Sequence, residues 1–149
     1  MAQRLAIVVS PGAMTEQNLE LLAVRFVDQL VPGRFHDAAQ MLDPACEYLF
    51  GGQTLRGEAI IAAFQKSDEE AHRKFDAVEY LPGRVAEAHG ARVVVQVFDR
   101  LVLGGRTHTY SDRLAITLDA ERSRPVVRIE HLPFAEERAA LAAFLQGPT

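Results

Sequence analysis

From residue 15 to residue 31 the apolar positions Leu19, Leu22, Ala23, Phe26, Val27 and Leu30 recur at the spacing of one helical face, and Pro32-Gly33 breaks the pattern. This predicts a helix from Thr15 to Val31 with Thr15 as its N-cap. A short second helix fits Phe35 to Leu42, because Asp43 precedes Pro44 and is pushed out of helical geometry. CEYLF then reads as a strand ending at Gly51-Gly52. A third helix spans about Glu58 to His72, with Ile60, Ile61 and Phe64 inward and the charged run Lys66 to Glu70 in water. From Phe75 the period changes to two. DAVEYL, RVAEAH, ARVVVQVFDRLVL, RTHTYSDRLAITL and VVRIEHL are separated by Pro82-Gly83, Gly90, Gly104-Gly105 and a polar loop, the pattern of an antiparallel meander. A closing helix, Phe134 to Leu145, presents Ala and Leu inward. Helices followed by a curved antiparallel sheet make an α+β domain.

The two long strands meet across Gly104-Gly105, which sets Leu103 opposite Arg106, Leu101 opposite His108, Asp99 opposite Tyr110, Val97 opposite Asp112 and Val95 opposite Leu114. One face is therefore apolar at one end and carries Asp99, His108, Tyr110 and Asp112 at the other. If the last strand keeps its apolar side chains inward, His131 stands across from Leu114, diagonal to Asp112. Carboxylates, tyrosine and histidine at the mouth of an apolar cavity are the ingredients of general acid and base chemistry. The plainer reading is that Asp99, Asp112 and His108 are rim groups in water, that His131 is a satisfied strand-end residue, and that Tyr48 and Tyr110 merely keep their hydroxyls at the wet end. The opposite face mixes Val94, Phe98 and Val102 with polar residues and suits a homodimer interface.

The 149 residues suffice for one self-supporting core, with residues 1–13 a loose N-terminal arm and residues 14–149 a single domain. A formal charge of -4 argues against nucleic acid or an anionic membrane as partner. No apolar run reaches the length of a membrane span, and the start MAQRLAIVVS is too short in its apolar part for a secretory leader. The single cysteine, Cys46, excludes an internal disulfide and fits a reducing, cytoplasmic setting. No local spacing motif supports a metal site, and no cofactor is expected.

The marks MLDPACEYLFGG, LRGEAIIAAF, YSDRLAITLD and VVRIEHLPF, in that order from about Thr15 to Phe134, resemble the nuclear-transport-factor-2-like superfamily. The resemblance implies a cone-shaped barrel of curved antiparallel sheet wrapped around N-terminal helices, with a C-terminal helix, an apolar pocket and dimerisation through the outer sheet face. The superfamily houses ketosteroid isomerases, SnoaL-like polyketide cyclases, limonene-type epoxide hydrolases and pure binding modules, so fold alone does not choose a chemistry. Asp112 matches the position of a pocket or catalytic aspartate, and His131 that of the second acid of cyclases and epoxide hydrolases. Phe26 stands where an isomerase places its tyrosine donor, and Tyr48 is present without an isomerase-like aspartate base. Tyr110 replaces the epoxide hydrolase arginine. The expectation is a cofactor-free isomerase, cyclase or hydrolase acting on a small apolar, oxygenated molecule. Asp112 and His131 are its catalytic residues, and Tyr48, Asp99, His108, Tyr110, Phe26 and Leu114 contact the substrate. The alternative is a non-catalytic ligand-binding or assembly module of the same fold.

Overall fold

A computed structural model describes residues 16–147 of the chain. The arm at residues 1–13 and the Thr15 cap lie outside the described residues. Helix α1 (Glu16–Asp28) buries Leu19, Ala23, Phe26 and Val27 along one stripe. It stops at Asp28 rather than Val31 because the Gln29 and Leu30 amides bond three residues back, to Phe26 and Val27, and tighten the last turn. Helix α2 (Phe35–Ala39) buries Phe35 and Ala38 and is shorter than its pattern suggests. Leu42, expected to end it, instead opens strand β1 (Leu42–Phe50). Pro44 is tolerated inside that strand because the pairing register shifts between Leu42 and Glu47. The short strand β2 (Gln53–Arg56) was not foreseen, since four largely exposed residues carry too little alternation to signal a strand.

Helix α3 (Glu58–Lys74) leads into β3 (Ala77–His89), β4 (Arg92–Leu103), β5 (Arg106–Leu118), β6 (Val126–Leu132) and α4 (Ala135–Gln146). The strands form one curved sheet in the order β2-β1-β6-β5-β4-β3. It is open, with β2 and β3 as free edges, so the cone does not close into a barrel. The meander is antiparallel, but β1 pairs parallel with β6, a contact that strand patterns alone do not disclose. The β4–β5 register matches the pairing expected from the sequence rung by rung. Gly104 and Gly105 have positive φ values of 59° and 78°, which their two-residue hairpin turn requires.

Pro82-Gly83 does not separate two strands. β3 runs through it with a register shift between Leu81 and Arg84; as β3 is an edge strand, the missing proline N–H breaks no ladder. Gly83 marks the bend: its amide donates to Asp28 Oδ1 at 2.9 Å, and a Cβ there would lie 3.1 Å from Val95 Cγ1. The bend thereby ties the sheet to the end of α1.

Helix α4 contradicts its expected apolar inner face, since none of its residues is buried. Its sequence is alanine-rich with little amphipathic bias, and β5 holds it through specific contacts instead. Arg106 lies over the Phe144 ring and donates to the Phe144 carbonyl, Arg113 lies over the Phe134 ring, and the Ser111 amide donates to Glu137. On the outer sheet face, Val94 and Ala115 are buried within the single chain, and Arg84 lies over Phe98. Elsewhere on that sheet Arg56, Glu47, Arg128, Glu130 and Arg92 form a chain of ion pairs. Among the described residues no helix is long and apolar enough to cross a membrane.

Candidate functional site

The concave side of the sheet and helices α1 and α3 enclose a pocket of about 730 Å³. Its floor is apolar, with Val97 and Leu114 from the hairpin and Val27 and Leu30 from the end of α1. Tyr48 of β1 is only 4% exposed, and its ring is stacked between Phe50 at 5.4 Å and Phe64 at 4.7 Å between centroids. This aromatic wall faces the polar end of the hairpin.

Strand pairing sets the polar groups. Asp112 on β5 is opposite Val97, and His131 on β6 is opposite Leu114, so the two stand on one face one diagonal apart. Their side chains meet: His131 Nε2 lies 2.6 Å from Asp112 Oδ2, while Asp112 Oδ1 accepts the Arg113 amide at 2.9 Å. The Phe50 ring packs edge-on against the imidazole. Asp99 is flanked in the ladder by Tyr110 on one side and Tyr80 on the other. Among the described residues its carboxyl makes no hydrogen bond or ion pair. Burial, then the charges of Asp112 and Asp68, push its pKa up to about 7. Burial, reinforced by the Asp112 charge, pushes Tyr110 up to about 12 and moves Tyr48 in the same direction. Both phenols therefore keep their protons, and neither has a hydrogen-bond partner among the described residues.

The pocket thus gathers Tyr48, Asp99, Tyr110, Asp112, Leu114 and His131. Two expected contacts are placed elsewhere. Phe26 is fully buried in the core behind the pocket, because the helical turn of α1 gives the lining to its neighbour Val27 instead. His108 does lie on the predicted sheet face, but beyond the end of β6, where α4 covers it. Its ring stacks on Phe144 at 5.1 Å, and its Nε2 is buried without a partner.

Sequence reasoning missed Asp68 and Tyr80. The run Lys66 to Glu70 is not uniformly in water: Asp68 lines the pocket and accepts a hydrogen bond from the Tyr80 hydroxyl. The signal was present, since Asp68 follows Ile60 and Phe64 at intervals of four and so continues the inward stripe of α3. Tyr80 carries a weaker signal, its alternation with Val78 in DAVEYL, and the sequence does not fix the β3–β4 register, which shifts twice, that sets it beside Asp99. Among the described residues no group of three or more His, Cys, Asp or Glu side chains is arranged to hold a metal ion. Burial first, then the Asp43 and Glu47 charges, push the Cys46 thiol up to about 12, which leaves it a poor nucleophile.

No protein-family model matches the sequence, and no curated protein sequence matches it. Solved structures do. A proposed polyketide cyclase of Xanthomonas campestris pv. campestris superposes with a TM-score of 0.58 at 14% identity, covering 84% of this chain and 96% of that one. TerC, co-crystallised with polyporic acid, gives 0.58 at 19% identity over 87% and 98% of the two chains. A proposed SnoaL-like polyketide cyclase of Shewanella putrefaciens CN-32 gives 0.57 at 16% identity over 97% and 99%. The chain has the nuclear-transport-factor-2-like fold. At these identities the likeness concerns the fold, and the chemistry of this nuclear-transport-factor-2-like pocket must be argued from its own side chains.

Proposed function

We propose that the chain is a small-molecule enzyme that moves a proton next to a carbonyl group of an apolar, oxygenated substrate, without a cofactor. The hydrogen-bonded pair Asp112 and His131 at the wall of the pocket carries this reading. Asp112 takes the proton from carbon, and His131 holds the carboxylate in position and shares the charge, so the pair accepts one proton as a unit. The electron pair of the broken C–H bond moves onto the substrate carbonyl oxygen. Tyr48, Tyr110 and the protonated form of Asp99 supply hydrogen bonds to that oxygen. A carboxylic acid kept neutral by an apolar site is an effective donor to such an oxyanion. Returning the proton to a different carbon completes an isomerisation; attack of the same enolate carbon on a second carbonyl of the substrate, whose C=O π bond opens and whose oxygen takes the proton back from the pair, gives an aldol cyclisation. Two structural neighbours carry polyketide-cyclase names and a third was co-crystallised with polyporic acid, which supports a small-molecule ligand.

Native mass spectrometry of purified protein would identify material held in the pocket, and a ketone of that class could then be incubated in D2O. Wild-type protein should exchange the hydrogens next to the carbonyl, and Asp112→Asn should bind equally well while exchanging them on the order of a hundredfold more slowly. Exchange no faster than in buffer, with the ligand bound, would instead make the chain a binding module.

A further inference from the structure

The pocket has two polar walls of opposite hydrogen-bonding character, and the difference lies in who owns one proton. On α3 and β3, the Tyr80 hydroxyl donates to Asp68 Oδ1. His72 supports the acceptor from the other side. Its Nδ1 is 2.9 Å from the Asp68 carbonyl oxygen, which can only accept, so Nδ1 carries a hydrogen, and it lies 3.2 Å from Oδ1. Burial and the bond to Asp68 both raise the Tyr80 pKa, which keeps the phenol protonated. Its single proton is committed to Asp68, so its oxygen can offer the pocket only lone pairs. Two strands along the same sheet, beyond Asp99, Tyr110 has an uncommitted proton among the described residues, as does Tyr48 on β1 farther round the pocket.

We infer that Tyr80 is a specificity-determining residue that accepts a hydrogen bond from a ligand hydroxyl, so that the ligand carries a hydroxyl donor at one end and a carbonyl acceptor at the other. The parallel rings of Tyr48, Phe50 and Phe64 at the end away from Tyr80 suit a flat, aromatic or quinonoid body. An ether or ester in place of the hydroxyl would set oxygen lone pairs against the Tyr80 oxygen with no hydrogen between them. The inference deepens the carbonyl-substrate reading given above and rests on it for the acceptor end only.

The test reads binding alone, by calorimetric titration of the full chain with 2-hydroxyanthraquinone and 2-methoxyanthraquinone at mildly acidic pH, where the hydroxyl is neutral. Wild-type protein should bind the hydroxy probe about tenfold more tightly. Tyr80→Phe should bring the two affinities within about twofold. Asp68→Ala, which frees the Tyr80 proton to meet an ether oxygen, should narrow the gap by strengthening the methoxy probe. A preference that survives Tyr80→Phe would reflect steric exclusion and overturn the inference. Equal binding of both probes to wild-type protein, or binding of neither, would overturn it as well. Because turnover plays no part, a failure here is distinct from a failure of proton transfer in Asp112→Asn.

Discussion

Asp99 and Asp112 occupy the same face of the β4–β5 hairpin on a diagonal, and of the two only Asp112 has a hydrogen-bonding partner among the described residues. One carboxyl is anchored by an imidazole and a backbone amide. The other is half-buried beside like charges, and its pKa is pushed up to about 7. In the proposed mechanism the anchored carboxylate of Asp112 is the base and Asp99 the hydrogen-bond donor.

This division gives stability a defined pH dependence. Asp99 binds its proton more tightly in the folded chain than in the unfolded chain, where its pKa is about 3.9. Its contribution is therefore fully present below about pH 4 and is lost as pH rises through about 7. Asp99→Asn should be more stable than wild type at pH 8, by on the order of 2 kcal/mol after allowance for solvent in the pocket, and equally stable near pH 4. Thermal unfolding at the two pH values checks this; equal curves at pH 8 would contradict it.

His131→Ala removes the group that holds Asp112 Oδ2 but leaves the Arg113 amide on Oδ1. Hydrogen exchange into a bound ketone should slow by about tenfold, less than in Asp112→Asn, because the proton acceptor remains while its orientation loosens. A variant as fast as wild type would reduce His131 to a packing residue.

Gly83→Ala places a methyl group 3.1 Å from Val95 Cγ1, 3.3 Å from Asp28 Oδ1 and 3.4 Å from the Gln96 carbonyl oxygen. The first two are tighter than ordinary contacts, and Val95 is fully buried with little room to retreat. The substitution should cost about 1 to 3 kcal/mol and lower the melting temperature by several degrees. Serine there should do the same, whereas a melting temperature above wild type would show that the bend relaxes freely.

A second copy of the chain is proposed to bind the outer face of β4 and β5 around Val102, next to the Arg100–Glu79 ion pair and away from the chain of ion pairs that runs from Arg56 to Arg92. Phe98 is unsuited to testing this because it also lines the pocket. Val102→Glu should halve the mass seen by light scattering and leave the circular dichroism unchanged. A monomeric wild-type protein at micromolar concentration would end the proposal.

Much of this architecture is legible in the sequence because two strong periodicities and one tight turn specify it. Gly104-Gly105 fixes the hairpin register, the register puts Asp99, Tyr110 and Asp112 on one face, and the alternation of VVRIEHL brings His131 beside Asp112. What escaped was set by contacts distant in sequence. The parallel pairing of β1 with β6 leaves no local pattern, Pro82-Gly83 reads as a turn until β3 is known to be an edge, and α4 is held by cations on rings rather than by an apolar stripe. Asp68 was hidden by its own charge, which outweighed its position on the inward face of α3.

The parallel seam between β1 and β6 joins the first strand of the described residues to the last. β1 has β2 as its only earlier partner, and a four-residue strand alone is too weak to hold it. On the ribosome the N-terminal third must wait for residues near 132, while β3, β4 and β5 can assemble from neighbouring hairpins as they emerge. Such late, long-range closure raises contact order and slows folding. Pulse-labelled hydrogen exchange during refolding should accordingly protect the amides of β4 and β5 before those of β1, and the mouth containing Tyr48 and His131 should be the last part of the pocket to form.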